Sequence, residues 1–234
     1  MDAHSLICPA VTAGAGDPPG PWAPLDWPCR PEGVNRLRPA GAASTEGDRL
    51  GESGIAYRLL DGGGAAERDA DLTALAGEVY GNVGDPAAAR RARVWRRQPG
   101  FALAEARHGG FLVGYASGMP LRPSTSWWRD LTTPLPPDVT AEHPGRTFAL
   151  TELLVRASWR RQGVGGELHG LLLDGRPEER ATLTVPPGAG AAQAAFRSWG
   201  WRKVARTRGD AAAGPVLDVL VVALPWLPPP GRDW

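Results

Sequence analysis

The stretch from Phe148 to Asp174 constrains the fold more than any other part of this chain. It opens with Phe148-Ala-Leu-Thr-Glu-Leu-Leu-Val155, whose alternation and strand-forming residues predict a strand. It closes with Val164, Leu168, Leu171 and Leu172 at i, i+4, i+7 and i+8, the stripe of an amphipathic helix, and Gly175 supplies a stop. Between them lies a turn carrying Gly163, Gly165 and Gly166. Glycine lets consecutive backbone N–H groups converge on one cavity, and a helix start adds unpaired donors and the positive end of its dipole. Strand, glycine turn and helix therefore predict a phosphate site, with Arg160 and Arg161 at its mouth.

Two common phosphate loops do not fit. A Walker A loop requires Gly-Lys-Ser/Thr, and no lysine stands here. A dinucleotide fingerprint requires G-x-G-x-x-G, and Gly163, Gly165 and Gly166 have another spacing.

The run Arg160-x-x-Gly163-x-Gly165 resembles the acetyl-CoA loop of the GCN5-related N-acetyltransferases, the GNAT superfamily, in which R/Q-x-x-G-x-G/A follows the fourth strand. Glu152-Leu-Leu-Val155 is similar to the end of that strand. Downstream, Ala189-x-x-Ala192-x-x-x-Phe196-x-x-x-Gly200-Trp201 keeps the spacing of a second pattern of the superfamily but lacks its asparagine and its tyrosine. The resemblance spans about residues 53–224.

It implies an α/β (α+β) domain with a mixed, mostly antiparallel sheet of about seven strands, about four flanking helices, and splayed fourth and fifth strands. It also implies acetyl-CoA as acyl donor and a primary amine of a small molecule or peptide as acceptor. The backbone of Leu153, Leu154 and Val155 is expected to hold the pantetheine arm. The N–H groups from Gln162 through Gly163, Val164 and Gly165 to Gly166 are expected to hold the pyrophosphate, with Arg160, Arg161 and Phe196 completing the cofactor site.

Acyl transfer to an amine needs a group that accepts the amine proton. Glu152 is the only acid of the central strand, and period two places it on one face with Phe148, Leu150 and Leu154. A carboxylate on an apolar face tends toward a raised pKa, which suits a general base. The competing reading has Glu152 pair with an arginine or cap a neighbouring strand. No acid is evident: Phe196 occupies the position of the superfamily's tyrosine, and phenylalanine donates no proton. A domain that binds acyl-CoA without turnover, as a regulatory or scaffolding module, is the alternative function.

Composition excludes several other classes. The 234 residues carry a formal net charge of +1, which gives no reason to expect nucleic acid or an anionic membrane. No apolar run approaches a membrane span, and the start lacks the marks of a signal peptide, so a cytoplasmic protein is expected. Two cysteines, Cys8 and Cys29, make no disulfide framework. His4, His108 and His143 have no metal-ligand spacing, His169 is expected at the surface of its helix, and no metal is expected.

In chain order, residues 1–52 read as an irregular extension, 53–224 as the acetyltransferase-like domain, and 225–234 as a proline-rich tail. Trp22 and Trp27 suit docking on the domain or on a second subunit, which is compatible with a homodimer; a tail of little function is the other reading. Strands are predicted at 55–60, 101–107, 111–118, 148–155, 181–185, 201–206 and 216–224. Helices are predicted at 69–80, 85–97, 164–174 and 190–199. Asp61-Gly-Gly-Gly reads as a turn, Asp85-Pro86 as a helix start, and the arginines of 85–97 as a solvated face. The long loop 120–146 carries Trp127 and Trp128, which either line an acceptor pocket or cover the sheet edge.

Overall fold

A computed structural model describes residues 49–50, 54–81, 86–208 and 216–226. The extension expected over 1–52 therefore lies outside the described residues except for Arg49–Leu50, as do Cys8, Cys29, Trp22, Trp27 and Asp85.

One sheet organises these residues, in the order β1-β2-β3-β4-β5-β6-β8-β7. Its strands are β1 (Arg49–Leu50), β2 (Ile55–Leu60), β3 (Ala102–His108), β4 (Phe111–Pro120), β5 (Thr147–Val155), β6 (Arg180–Val185), β7 (Arg202–Thr207) and β8 (Leu217–Ala223). Every neighbouring pair is antiparallel except β5–β6, which is parallel. The helices are α1 (Gly62–Glu67), α2 (Asp69–Tyr80), α3 (Pro86–Arg96), α4 (Pro137–Thr140), α5 (Val164–Leu173) and α6 (Gly190–Ser198). The seven expected strands and four expected helices are all present.

The additions are short. β1 is a two-residue pairing with β2, and α4 is one turn inside the 120–146 loop. α1 replaces the expected turn at Asp61-Gly-Gly-Gly. Asp61 Oδ1 accepts from the Gly64 amide at 2.9 Å, and Ala65 is fully buried, so a cap and one packed methyl outweigh three glycines. The β3–β4 hairpin closes through Gly109 and Gly110, both at positive φ, as a two-residue turn of this hand requires.

Both faces of the sheet are covered. Val164, Leu168 and Leu172 of α5 and Phe196 of α6 pack against Ala104, Val113, Ala116, Phe148, Leu150 and Val155 on one face. On the other, Leu72 and Leu75 of α2 and Ala65 of α1 pack against Leu103, Leu112, Tyr115 and Leu154. Beyond α2 on that second face, Leu121 and Trp128 of the long loop cover Ala149, Ala205, Val219 and Val221.

Candidate active site

The sheet opens at its parallel pair. β5 and β6 share three register positions, Thr147↔Arg180, Phe148↔Ala181 and Ala149↔Thr182. From Leu150 to Val155, β5 has no partner on that side, while β6 stays paired to β8 through Val185. The strands splay toward the end of β5, where the glycine turn begins. One backbone edge of Leu153 and Leu154 is thus left for an incoming chain, as a missing strand would require. Val155 is partly engaged, because Arg160 Nε donates to its carbonyl at 2.9 Å.

The turn itself is held in a left-handed conformation at two places, Arg161 (φ 64°) and Gly163 (φ 82°). Gly163 is the N-cap of α5. Its carbonyl accepts from the amides of Gly166 (2.8 Å) and Glu167 (3.1 Å), so the Gly166 donor is already used. Among the described residues the amides of Gln162, Gly163, Val164 and Gly165 have no such acceptor, and they are the donors this helix start offers. Gly165 is not the strained position: it is helical, and an added Cβ would meet Leu153 at 3.6 Å and Val155 and Trp199 at 3.9 Å, ordinary contacts. Those neighbours show that α5 begins against β5 and the end of α6. Arg160, Arg161 and Gln162 are exposed at the mouth, and Gln162 Nε2 donates to Ser158 O at 2.8 Å.

Glu152 does not share a face with Phe148 and Leu150. The β4–β5 register passes from Ser117↔Glu152 to Gly118↔Leu150, leaving Thr151 as an extra residue. This bulge reverses the alternation. Phe148 and Leu150 face the α5–α6 layer, whereas Leu154 faces α2. Glu152 lies with Leu154, its Oε2 accepting from the Tyr115 hydroxyl at 2.8 Å. Thr151 is tied down by Ser117: its Oγ1 donates to Ser117 O at 3.1 Å and lies 3.1 Å from Ser117 Oγ.

Burial raises the pKa of the Glu152 carboxyl, and the Tyr115 hydrogen bond and the charges of Arg96 and Arg91 oppose that rise. Sequence gave no sign of this surrounding. Arg90, Arg91, Arg93 and Arg97 are exposed as a solvated face requires, but Arg96 is largely covered and, with Arg93, pairs with Asp69 of α2, which brings α3 and its charges beside the site.

Phe196 is buried, edge-on to Trp199 and Trp201 with centroids at 5.5 and 5.7 Å. It belongs to the core beside the cleft. Trp128 is also buried, donating from Nε1 to Glu142 Oε1 at 2.8 Å, and half-buried Trp127 donates to Thr182 Oγ1 at 3.3 Å. Both cover the sheet, with Leu121, over Ala149, Ala205, Val219 and Val221. His169 is not at the surface: it is fully buried against Trp199, Trp201 and Trp226. Among the described residues no cluster of histidine, cysteine, aspartate and glutamate is arranged to hold a metal.

No protein-family model and no curated protein matches the sequence. Solved structures do match. The ribosomal-protein-S18-alanine N-acetyltransferase of Escherichia coli aligns at 12% identity over 77% of this chain and 99% of its own, with a TM-score of 0.53. The NatC complex bound to Gag peptide and CoA aligns at 15% identity, over 73% of this chain and 98% of the matched one, with a TM-score of 0.53. A GNAT-family acetyltransferase of Bacillus cereus aligns at 9% identity over 72% and 96%, with a TM-score of 0.50. The fold of this chain is that of the GNAT acetyltransferases.

Proposed function

We propose that the chain is an acetyl-CoA-dependent N-acetyltransferase acting on a primary amine of a small molecule or peptide. The observation that carries this reading is the splay of β5 from β6, with the start of α5 at its open end and Glu152 on the strand beside it. The residues suit the donor. The β5 edge at Leu153–Leu154, unpaired on the β6 side, matches an amide-bearing arm, and the unpaired amides from Gln162 to Gly165, with Arg160 and Arg161 close by, match a pyrophosphate. One relative of the same fold was solved with CoA bound. The bound donor would supply an acetyl thioester. Glu152, whose burial raises its carboxyl above the ordinary range and so makes it a stronger base, accepts the proton the amine must lose, directly or through water.

Glu152→Gln keeps the size of the side chain and removes its basic oxygen. Turnover with acetyl-CoA and a responsive amine is expected to fall by about 10²–10⁴-fold, with acetyl-CoA affinity by calorimetry unchanged. Near-full activity would make Glu152 structural.

Phe196 favours a second reading, an acyl-CoA-binding module without turnover, because no proton donor stands where the superfamily has its tyrosine. Tight acetyl-CoA binding with no acetylation of any amine in a broad panel would select that reading.

A further inference from the structure

We propose that Tyr115 is a positioning residue of this reaction: its hydroxyl fixes the Glu152 carboxylate in orientation and keeps it an acceptor. The inference rests on the reading of Glu152 as the base.

The geometry is specific. A carboxylate only accepts, so the 2.8 Å contact is a phenol donating to Oε2. Tyr115 pairs across the strands with Leu154, and the bulge at Thr151 turns Glu152 to the same face, making the two diagonal neighbours. The Tyr115 ring is 2% exposed, packed with Leu72, Leu75, Leu103 and Leu154, so it cannot swing aside. Among the described residues no donor reaches Oε1, which leaves that oxygen for the substrate proton.

Tyr115 is a poor candidate for the missing acid. Burial, then the charge and hydrogen bond of Glu152, push its phenol far above the ordinary range, so it holds its proton. Its value lies in opposing the burial of Glu152. The other ionisable groups that bear on Glu152 are Tyr80 of α2 and Arg91 and Arg96 of α3, with Arg96 itself neutralised in part by Asp69. With Tyr115 removed, only the charges of Arg96 and Arg91 would oppose desolvation, and Glu152 would titrate higher.

The test is a carbon-13 NMR titration of the Glu152 carboxyl, assigned by its absence in Glu152→Gln, in wild type and in Tyr115→Phe. The midpoint is expected to rise by about one pH unit or more in Tyr115→Phe. The acid limb of kcat/KM should move up with it while the Kd for acetyl-CoA stays put. An unmoved or lowered midpoint overturns the role of Tyr115, whatever happens to turnover. Should Tyr115→Phe not fold, 3-fluorotyrosine at 115, a stronger donor of nearly the same size, must lower the midpoint; no change there overturns the proposal equally. Full activity in Glu152→Gln would instead sink the base assignment, and with it the catalytic meaning of the Tyr115 contact.

Discussion

At the scale of single residues, the glycine turn separates conformation from space. Gly163 needs a left-handed backbone, and nothing lies within 4 Å of an added Cβ, so its glycine serves the turn rather than a close contact. Gly165 needs neither: its backbone is helical and its neighbours leave room. Gly163→Val should therefore reorient the Gln162–Gly165 amides and lower acetyl-CoA affinity by about tenfold or more, since left-handed backbone costs a branched residue roughly 1–2 kcal/mol. Gly165→Ala should bind within a few-fold of wild type. Calorimetry on the two variants decides it, and the reverse ranking would place the cofactor elsewhere.

At the scale of elements, the bulge in β5 sets which side chains meet. Without Thr151 as an extra residue, period two would turn Glu152 toward α5 and away from Tyr115. The bulge is held by the hydrogen bonds between Thr151 and Ser117. Thr151→Val keeps the branched shape and loses both. Stability by urea unfolding should fall by about 1 kcal/mol, and kcat should drop several-fold while acetyl-CoA affinity holds. A stability loss with unchanged kcat would mean that the bulge does not aim Glu152.

At the scale of the whole molecule, His169 couples folding to pH. It sits where α5, α6, β7 and the chain beyond β8 meet, accepting from Trp201 Nε1 at 2.9 Å, with Trp199 and Trp226 at centroid distances of 4.5 and 4.6 Å. Burial holds its pKa down to about 3, against 6.5 for an ordinary histidine. Between those values the unfolded chain binds a proton that the folded chain refuses, so this contribution to stability is complete above 6.5 and is lost as pH falls toward 3. The slope approaches about 1.4 kcal/mol per pH unit. His169→Gln should flatten the fall in unfolding free energy between pH 6.5 and 5, a window above most carboxylate titrations. An unchanged slope would show that His169 protonates in place.

By itself the sequence determined the elements and the turn. Periodicity, with turn glycines and the Asp85-Pro86 start signal, located seven strands and the four long helices, because apolar side chains at period two or 3.6 are the direct imprint of burial. The spacing Arg160-x-x-Gly163-x-Gly165 located the helix start, although it did not tell which glycine bears positive φ. Tertiary structure decided the rest. A bulge leaves no mark on apolar periodicity this short, so the face of Glu152 and its partner Tyr115 depended on the register with β4. α1 formed despite poor propensity because Ala65 is buried against the sheet. Arg96 read as solvent-facing with its neighbours, yet it is largely covered where it meets Asp69 of α2. His169 read as polar and therefore outward, yet three tryptophans from distant positions enclose it. Each of these depends on contacts between residues far apart in the chain, which local pattern does not carry.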